Sequence, residues 1–180
     1  IRGASLYSGD YYETPFGLVP VDKELSERLV QASPALSFSL RGHDTAGQRP
    51  EHALEVQLPF LQRVLKADFR IVPMIIQDYS LENCRQIGDA IAGTIDQDKT
   101  LLLASTDLYH GDSYEECKRQ DKATVNSILS LEPEAFIKGA NKKNYQACGA
   151  GPVAILLFAS KQLGADDVQL LVHNHHGLVV

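Results

Sequence analysis

Short apolar runs alternate with helix-length segments along this chain, and this alternation constrains the fold more than any other feature. Residues 69–76 and 101–104 have the length and composition of buried strands, and residues 168–172 are predicted to form the last strand. Between the first two, residues 81–95 have apolar side chains at helical spacing. Strands that are apolar along their whole length are typical of sheets covered on both faces. We therefore predict an α/β fold in which a mixed, largely buried sheet lies between two layers of helices, an α/β/α sandwich.

Capping residues and prolines predict where the helices begin. Asp22 is suited to cap a helix that continues to Val30, and Ser80 is suited to cap the helix over 81–95. Pro133 and Pro152 each occupy a position where a first helical turn accepts proline, and the last helix is expected to end near Leu163. These signals place a helix after each predicted loop in the second half of the chain.

Other segments are predicted from turn chemistry and polarity. Residues 4–12 alternate as a strand does, and a turn follows at 14–17. Residues 38–50 carry glycines and charges typical of a mobile loop. Residues 51–65 are helical in spacing, with Pro59 producing either a kink or a break between two shorter helices. The polar segment 114–131 is predicted to be a surface helix, with Ala123, Ser127 and Leu131 on one line.

Composition bounds the class of protein. The 180 residues fit one domain, residues 1–180, and 44% hydrophobic with 22% charged residues is typical of a globular chain with a real core. The net charge of −6 argues against nucleic acid or an anionic membrane as partner. No apolar run is long enough to span a membrane. Three irregularly spaced cysteines give no disulfide framework, so we expect a cytoplasmic setting.

A polar loop with catalytic residue types follows the apolar run 101–104. It contains Asp107 and His110, and the carboxyl ends of strands face the ligand crevice in open α/β sheets. Asp107 and His110 are therefore candidate catalytic residues. The alternative is structural: Ser105 and Asp107 cap the next turn, and His110 is a surface residue.

The helix that begins near residue 51 carries a second candidate. His52 and Glu55 lie on one helical face, so the imidazole can bind a metal while the carboxylate orients it. By spacing alone the alternative is stronger, because Glu51 and Glu55 in a first turn favour the helix dipole and a lone helical histidine is commonly just packed.

Cys148 is the third candidate because it directly precedes the predicted last helix. A helix N-terminus stabilises a thiolate, which can then act as a ligand or nucleophile, and the flanking glycines allow close approach of the backbone. The alternative is a buried, inert thiol, and we predict that outcome for Cys84 and Cys117, which lie within helical patterns.

Three segments together resemble a known family. Glu-His-Ala-Leu-Glu-Val-Gln-Leu-Pro-Phe at 51–60, Ser-Thr-Asp-Leu-Tyr-His at 105–110 and Ala-Cys-Gly-Ala-Gly-Pro at 147–152 resemble, in order and spacing, the signatures of the Memo family. That family has a fold similar to the class III extradiol dioxygenases, which are iron enzymes, so the resemblance implies an extradiol dioxygenase-like architecture. The resemblance covers nearly all of the chain.

The resemblance also implies a metal site. His52 and Cys148 would bind one ion, with Asp107 and His110 beside it as acid/base or substrate-positioning groups. The family's remaining ligand is a histidine expected before Arg2, which implies that the domain lacks an N-terminal strand and ligand-bearing segment. Iron as Fe(II) is the expected cofactor, with copper and zinc as alternatives. The C-terminus, with histidines at 173, 175 and 176, departs from the family pattern.

Two functions of different classes are consistent with these residues. The leading hypothesis is a metal-binding, non-heme iron or copper oxidoreductase-like protein in which His110 moves protons and Asp107 orients it. The alternative is a non-catalytic adaptor that binds a peptide or phosphopeptide in the same crevice. The expected partner is thus a small molecule or a peptide. The resemblance also implies possible partner proteins, namely the components of a system that contains a radical S-adenosylmethionine protein.

Overall fold

The structure is a computed structural model that describes residues 3–43, 51–65, 68–111 and 113–172. Most of the predicted loop at 38–50 therefore lies outside the described residues, as do the histidines at 173, 175 and 176. Within the described ranges the chain is α/β, with a small mixed sheet, a separate β-hairpin and seven helices. The α/β class predicted from the alternating pattern is confirmed.

The sheet has three strands in the order β4-β1-β5, formed by β1 (Ala4–Leu6), β4 (Leu36–Phe38) and β5 (Met74–Ile76). β1 is parallel to β4 and antiparallel to β5, so the sheet is mixed. All three residues of the central strand are buried. A sheet whose central strand is buried on both faces needs apolar or small side chains there, as Ala-Ser-Leu provides.

A hairpin connects β1 to the first helix. It consists of β2 (Tyr11–Thr14) and β3 (Gly17–Pro20), and the predicted turn at 14–17 joins them. The Thr14 hydroxyl donates to the Gly17 carbonyl oxygen at 3.0 Å. Gly17 has φ +108°, a left-handed conformation that favours glycine, so the turn is determined by local sequence.

Capping residues begin the helices where the sequence predicts. Asp22 accepts a hydrogen bond from the backbone of Leu25, and Ser80 accepts one from Asn83. The predicted helix over 51–65 is broken in two, and Pro59 lies in the first turn of the second helix, where its missing N–H could not bond to Glu55 in a continuous helix. The helices are α1 (Lys23–Ala32), α2 (His52–Glu55), α3 (Leu58–Val64), α4 (Leu81–Thr94), α5 (Tyr114–Leu129), α6 (Pro133–Asn141) and α7 (Ala150–Gln162).

The core is centred on α7, which packs against α4 and α6. Gly88 of α4 permits close contact, since a Cβ there would lie 2.5 Å from Cβ of Phe158. Phe136 of α6 is fully buried and stacks on Tyr145 with ring centroids 5.7 Å apart. The segment before α7 is therefore fixed to the core by an aromatic contact.

Two predicted strands are absent from the described chain. Residues 101–104 and 168–172 form no strand pairing, and Leu101 and Leu171 are 66% and 80% exposed. The predictions of a buried strand at 101–104 and of a last strand at 168–172 were wrong. An apolar run indicates a preference for burial, but a strand also requires a neighbouring backbone, and among the described residues neither segment has one.

The polar helix α5 has a buried face that the sequence pattern did not indicate. Asp121 is 5% exposed and Thr124 is fully buried. The predicted line through Ala123 and Leu131 is only partly buried, against the main core. Polar side chains can occupy a buried face when each forms hydrogen bonds there, so hydrophobic periodicity does not detect such a face. Among the helices of the described ranges, none has the length and hydropathy needed to cross a membrane.

Candidate metal and acid/base site

Asp107, His110 and Cys148 come together in the folded chain. One carboxylate oxygen, one ring nitrogen and the thiol sulfur all lie within 4.8 Å of one another. The ligand atoms of a single ion are at most about 4.5 Å apart when each lies about 2.0–2.3 Å from it. Small rotations of these exposed side chains would therefore suffice to bind one ion, so the donor set is compatible with a metal.

Backbone contacts join the two segments that carry these residues. The Asp107 N–H donates to Cys148 Sγ at 3.0 Å, and the Cys148 N–H donates to the Asp107 carbonyl oxygen at 3.0 Å. The Gly149 N–H donates to Thr106 Oγ1 at 2.8 Å. The sequence prediction that glycine beside Cys148 permits close approach is consistent with this geometry, because a Cβ on Gly149 would lie 2.2 Å from the Ser105 carbonyl oxygen.

The side chains of this cluster are open to solvent. His110 Nε2 lies 3.6 Å from Asp107 Oδ2, and these side chains are 67% and 76% exposed. Cys148 is also exposed. An exposed ion pair of this kind contributes little to the stability of the fold, so stability alone does not explain why these residues lie together. Its chemistry is that of a thiol, an imidazole and a carboxylate presented to the same volume.

His52 lies on α2 and is not a member of this cluster. Glu51 caps the helix by accepting from the Ala53 N–H, and His52 Nδ1 lies 2.5 Å from Glu55 Oε1. The predicted pairing of imidazole and carboxylate on one helical face is confirmed. It leaves Nε2 of His52 available, in the arrangement typical of a histidine oriented by a carboxylate.

Gln57 connects the helix of His52 to the cluster, and sequence reasoning did not single it out. Its side-chain amide donates to the Ser105 hydroxyl at 3.4 Å, so the α2–α3 junction contacts the segment that leads into Asp107. The sequence shows only that Gln57 is a polar residue among the apolar positions near the start of a predicted helix. It could not reveal the partner, which is 48 residues further along the chain.

The other two cysteines lie in different surroundings. Cys84 is fully buried, and burial, with a smaller contribution from Asp78, raises the pKa of its thiol to about 12. Burial and a hydrogen bond to Asp121 also raise the pKa of the Cys117 thiol. A thiol whose pKa is raised stays protonated at neutral pH and is a poor ligand and nucleophile. This supports the interpretation of both as inert.

A histidine outside the predicted site is also partly buried. His43 lies between β1 and the hairpin, with Nδ1 2.6 Å from the Tyr12 hydroxyl and Nε2 3.1 Å from the Ser5 carbonyl oxygen. Both contacts are satisfied when Nε2 carries the proton and Tyr12 donates to Nδ1. Burial lowers the pKa of His43, although its hydrogen bond to Ser5 acts in the opposite direction. Burial, then Tyr7 and Glu55, raise the pKa of Tyr12.

This environment predicts a loss of stability in mild acid. The pKa of His43 is below its ordinary value of 6.5 in the folded state, so below pH 6.5 the unfolded chain binds more protons than the folded chain. The stability contributed by neutral His43 is fully present above that pH and falls as pH drops towards the folded-state pKa. We expect urea midpoints between pH 7.5 and about 5 to fall more steeply for the natural chain than for His43→Gln.

The exposed His110→Gln variant is the control for this pH series, because that ring is 67% exposed. It should retain the pH dependence of the natural chain. Parallel curves for the natural chain and His43→Gln would contradict the role given to burial of His43.

The fold and the cluster together define a class: an α/β domain that presents a thiol, an imidazole and a carboxylate at adjoining loops. The family model described as Memo-like protein matches residues 1–179. This chain belongs to the Memo family. The resemblance inferred from the three segments is thereby confirmed.

Similar proteins occur in archaea and bacteria. A MEMO1 family protein of Nitrosopumilus maritimus is 34% identical over 169 residues, which is 94% of this chain and 60% of the relative. A MEMO1 family protein of Methanosarcina barkeri is 34% identical over 96% of this chain and 63% of the relative. One of Aquifex aeolicus is 32% identical over 96% and 62%. The chain thus spans about three fifths of the length of these curated relatives.

Proposed function

We propose that this chain is a metal-binding, oxidoreductase-like domain in which Cys148 and His52 bind one ion and Asp107 and His110 lie beside it. The observation that carries the proposal is the cluster of Asp107, His110 and Cys148, whose ligand atoms lie within 4.8 Å of one another. The Gln57–Ser105 contact supports adding His52, because it connects α2 to the same loop.

The proposal extends to the architecture and the metal. The α/β class and Memo membership support a layered fold like that of the class III extradiol dioxygenases, with helices on both faces of the sheet. A thiolate with imidazoles suits Fe(II), copper or zinc, and we propose Fe(II). Such an ion, when bound, would polarise a ligand oxygen or exchange an electron.

The residues beside the ion would have separate tasks. His110 would hold or move a proton at Nε2, the atom that faces Asp107. Asp107 would orient that ring through Oδ2 and, through its backbone N–H, stabilise the negative charge on Cys148 Sγ. Glu55 would orient His52 through Nδ1, which fixes the tautomer that leaves Nε2 as the metal-binding atom.

Metal content measured on single variants tests this proposal. Loss of a residue that only orients a ligand costs about 10- to 100-fold in metal affinity, so Cys148→Ala and His52→Ala should each lose at least that much. The measurement is Fe(II) and Cu(I) titration by competition with a chelator, together with elemental analysis. Cys84→Ala is the matched control, because its thiol is fully buried in the core and should leave affinity unchanged.

The pattern of losses separates the alternatives. If His52→Ala binds metal normally while His110→Ala does not, the ion is bound by the cluster alone and His52 has no direct role. Normal affinity in both Cys148→Ala and His52→Ala would exclude the proposal. Saturable peptide binding that survives chelation of metal would instead favour the adaptor class.

A further inference from the structure

Helix α5 presents a row of polar side chains to the two loops that form the cluster. Asp121, Thr124 and Ser127 are three residues apart, so they lie along one side of the helix. Asp121 is 5% exposed and Thr124 is fully buried. Burying polar groups is unfavourable unless each forms hydrogen bonds, so the partners of these side chains indicate what the row does. We name Asp121, Thr124 and Ser127 the α5 polar row.

The first member of the row holds the loop of Asp107 and His110. Asp121 Oδ1 accepts a hydrogen bond from the Tyr109 N–H at 3.0 Å. Tyr109 lies between the two candidate catalytic residues in the chain, so this bond fixes the backbone from which both side chains project. The Cys117 thiol donates to Asp121 Oδ2 at 3.4 Å, which orients the carboxylate.

The other two members hold the segment that leads to Cys148. Thr124 Oγ1 lies 3.1 Å from the carbonyl oxygen of Gln146 and 3.0 Å from that of Gln120 in its own helix, and its one hydroxyl hydrogen is shared between these two acceptors. The hydroxyl of Ser127 lies 2.8 Å from that of Tyr145, and Tyr145 donates to the Phe136 carbonyl oxygen at 2.6 Å. The residues just before Cys148 are therefore bonded to the same helix as Tyr109.

We propose that the α5 polar row sets the distance between the two loops, so that Asp121 and Thr124 are positioning residues for the cluster. Three hydrogen bonds join the loops directly, but that from the Asp107 N–H to Cys148 Sγ lies among exposed residues, where water competes for both atoms. One helix that binds both loops, through Asp121 to the Tyr109 N–H and through Thr124 to the Gln146 carbonyl oxygen, adds a second constraint on their alignment. The inference goes beyond the proposed function, because it concerns the loops whether or not a metal is bound.

Hydrogen exchange at the Asp107 amide tests the inference without any metal. In Asp121→Ala and Thr124→Val the loops should separate, and the Asp107 N–H should exchange about tenfold faster or more, since its bond to Cys148 Sγ is lost. Asp121→Asn keeps an oxygen to accept from the Tyr109 N–H, and Thr124→Ser keeps the hydroxyl, so both should retain protection. The measurement is exchange followed by NMR in metal-free protein.

A control separates positioning from general destabilisation. Ile128→Ala removes a partly buried apolar side chain on the same helix but no hydrogen bond to either loop, and urea should be added to bring all variants to equal stability. If the Asp107 N–H exchanges at the rate of the natural chain in Asp121→Ala, the role of Asp121 is overturned. The same result in Thr124→Val would overturn the role of Thr124. Equal acceleration in Ile128→Ala would overturn the inference as a whole. Should Asp121→Ala fail to fold, the comparison of Thr124→Val with Thr124→Ser decides the inference.

Cobalt(II) provides a second reading on the same variants. The cobalt–thiolate absorption band should weaken in Asp121→Ala and Thr124→Val and recover in Asp121→Asn and Thr124→Ser. If the natural chain gives no such band while the exchange pattern holds, the proposed metal function fails and the positioning role stands. If the band is present and unaffected in all four variants, and the Asp107 N–H exchanges in each at the rate of the natural chain, the positioning role fails and the metal function stands.

Discussion

Replacing Gly149 by alanine is expected to destabilise the chain by about 2–3 kcal/mol and to separate the loops of the cluster. A Cβ at this position would lie 2.2 Å from the Ser105 carbonyl oxygen and 2.7 Å from the Thr106 Cβ. The nearest obstacle is backbone, which cannot rotate aside as a flexible side chain would. Urea unfolding followed by circular dichroism measures the change.

Gly93→Ala is the matched control for this prediction. Gly93 lies in the last turn of α4, and a Cβ there meets no atom within 4 Å. Alanine within a helix is favoured over glycine by about 0.5–1 kcal/mol, so this variant should be as stable as the natural chain or more so. Equal stabilities for Gly149→Ala and Gly93→Ala would contradict the prediction, because they would mean that residues 105–106 move to accommodate the added methyl group at little cost.

Phe136→Ala is expected to cost about 3–5 kcal/mol of the free energy of unfolding. The ring is fully buried and stacks on Tyr145, whose hydroxyl in turn donates to the Phe136 carbonyl oxygen. Alanine would leave a cavity where α6 packs against the segment before Cys148. We therefore expect a lower midpoint in urea, followed by circular dichroism.

Phe60→Ala serves as the comparison, because Phe60 is 72% exposed. Its loss should change stability by less than about 0.5 kcal/mol. Phe136→Leu should fall between the two, since it fills part of the cavity. A cost below about 1 kcal/mol for Phe136→Ala would contradict the packing described for α6, because such a value is typical of surface positions.

Local chemistry determined which parts of the fold the sequence could predict. Asp22 and Ser80 each cap a helix through a side-chain oxygen three residues before its partner, so their signals lie within one turn. Pro59 ended one helix for an equally local reason. Residues 101–104 were mispredicted because strand pairing depends on a distant backbone, which hydrophobic pattern does not reveal.

In the candidate site, too, local sequence signals could be predicted and contacts between distant residues could not. Cys148 was predicted from its position just before α7, and Asp107 and His110 from a strand at 101–104 that the structure does not form, yet the structure brings these three residues together. The roles of His52 and Cys148 as metal ligands stay predictions. The His43–Tyr12 contact escaped notice because its partners are 31 residues apart and neither lies in a motif. Asp121 was missed because it is a buried carboxylate on an otherwise polar helix.

The order of strands in the sheet has a consequence for biosynthesis. β1 precedes both of its neighbours in the chain, and its antiparallel partner β5 ends at Ile76. Pairing between such distant segments requires closing a long loop, which slows folding. During translation, β1 must wait for β5 to leave the ribosome, so the backbone edge of Ala4–Leu6 that pairs with β5 stays unpaired until the sheet can close.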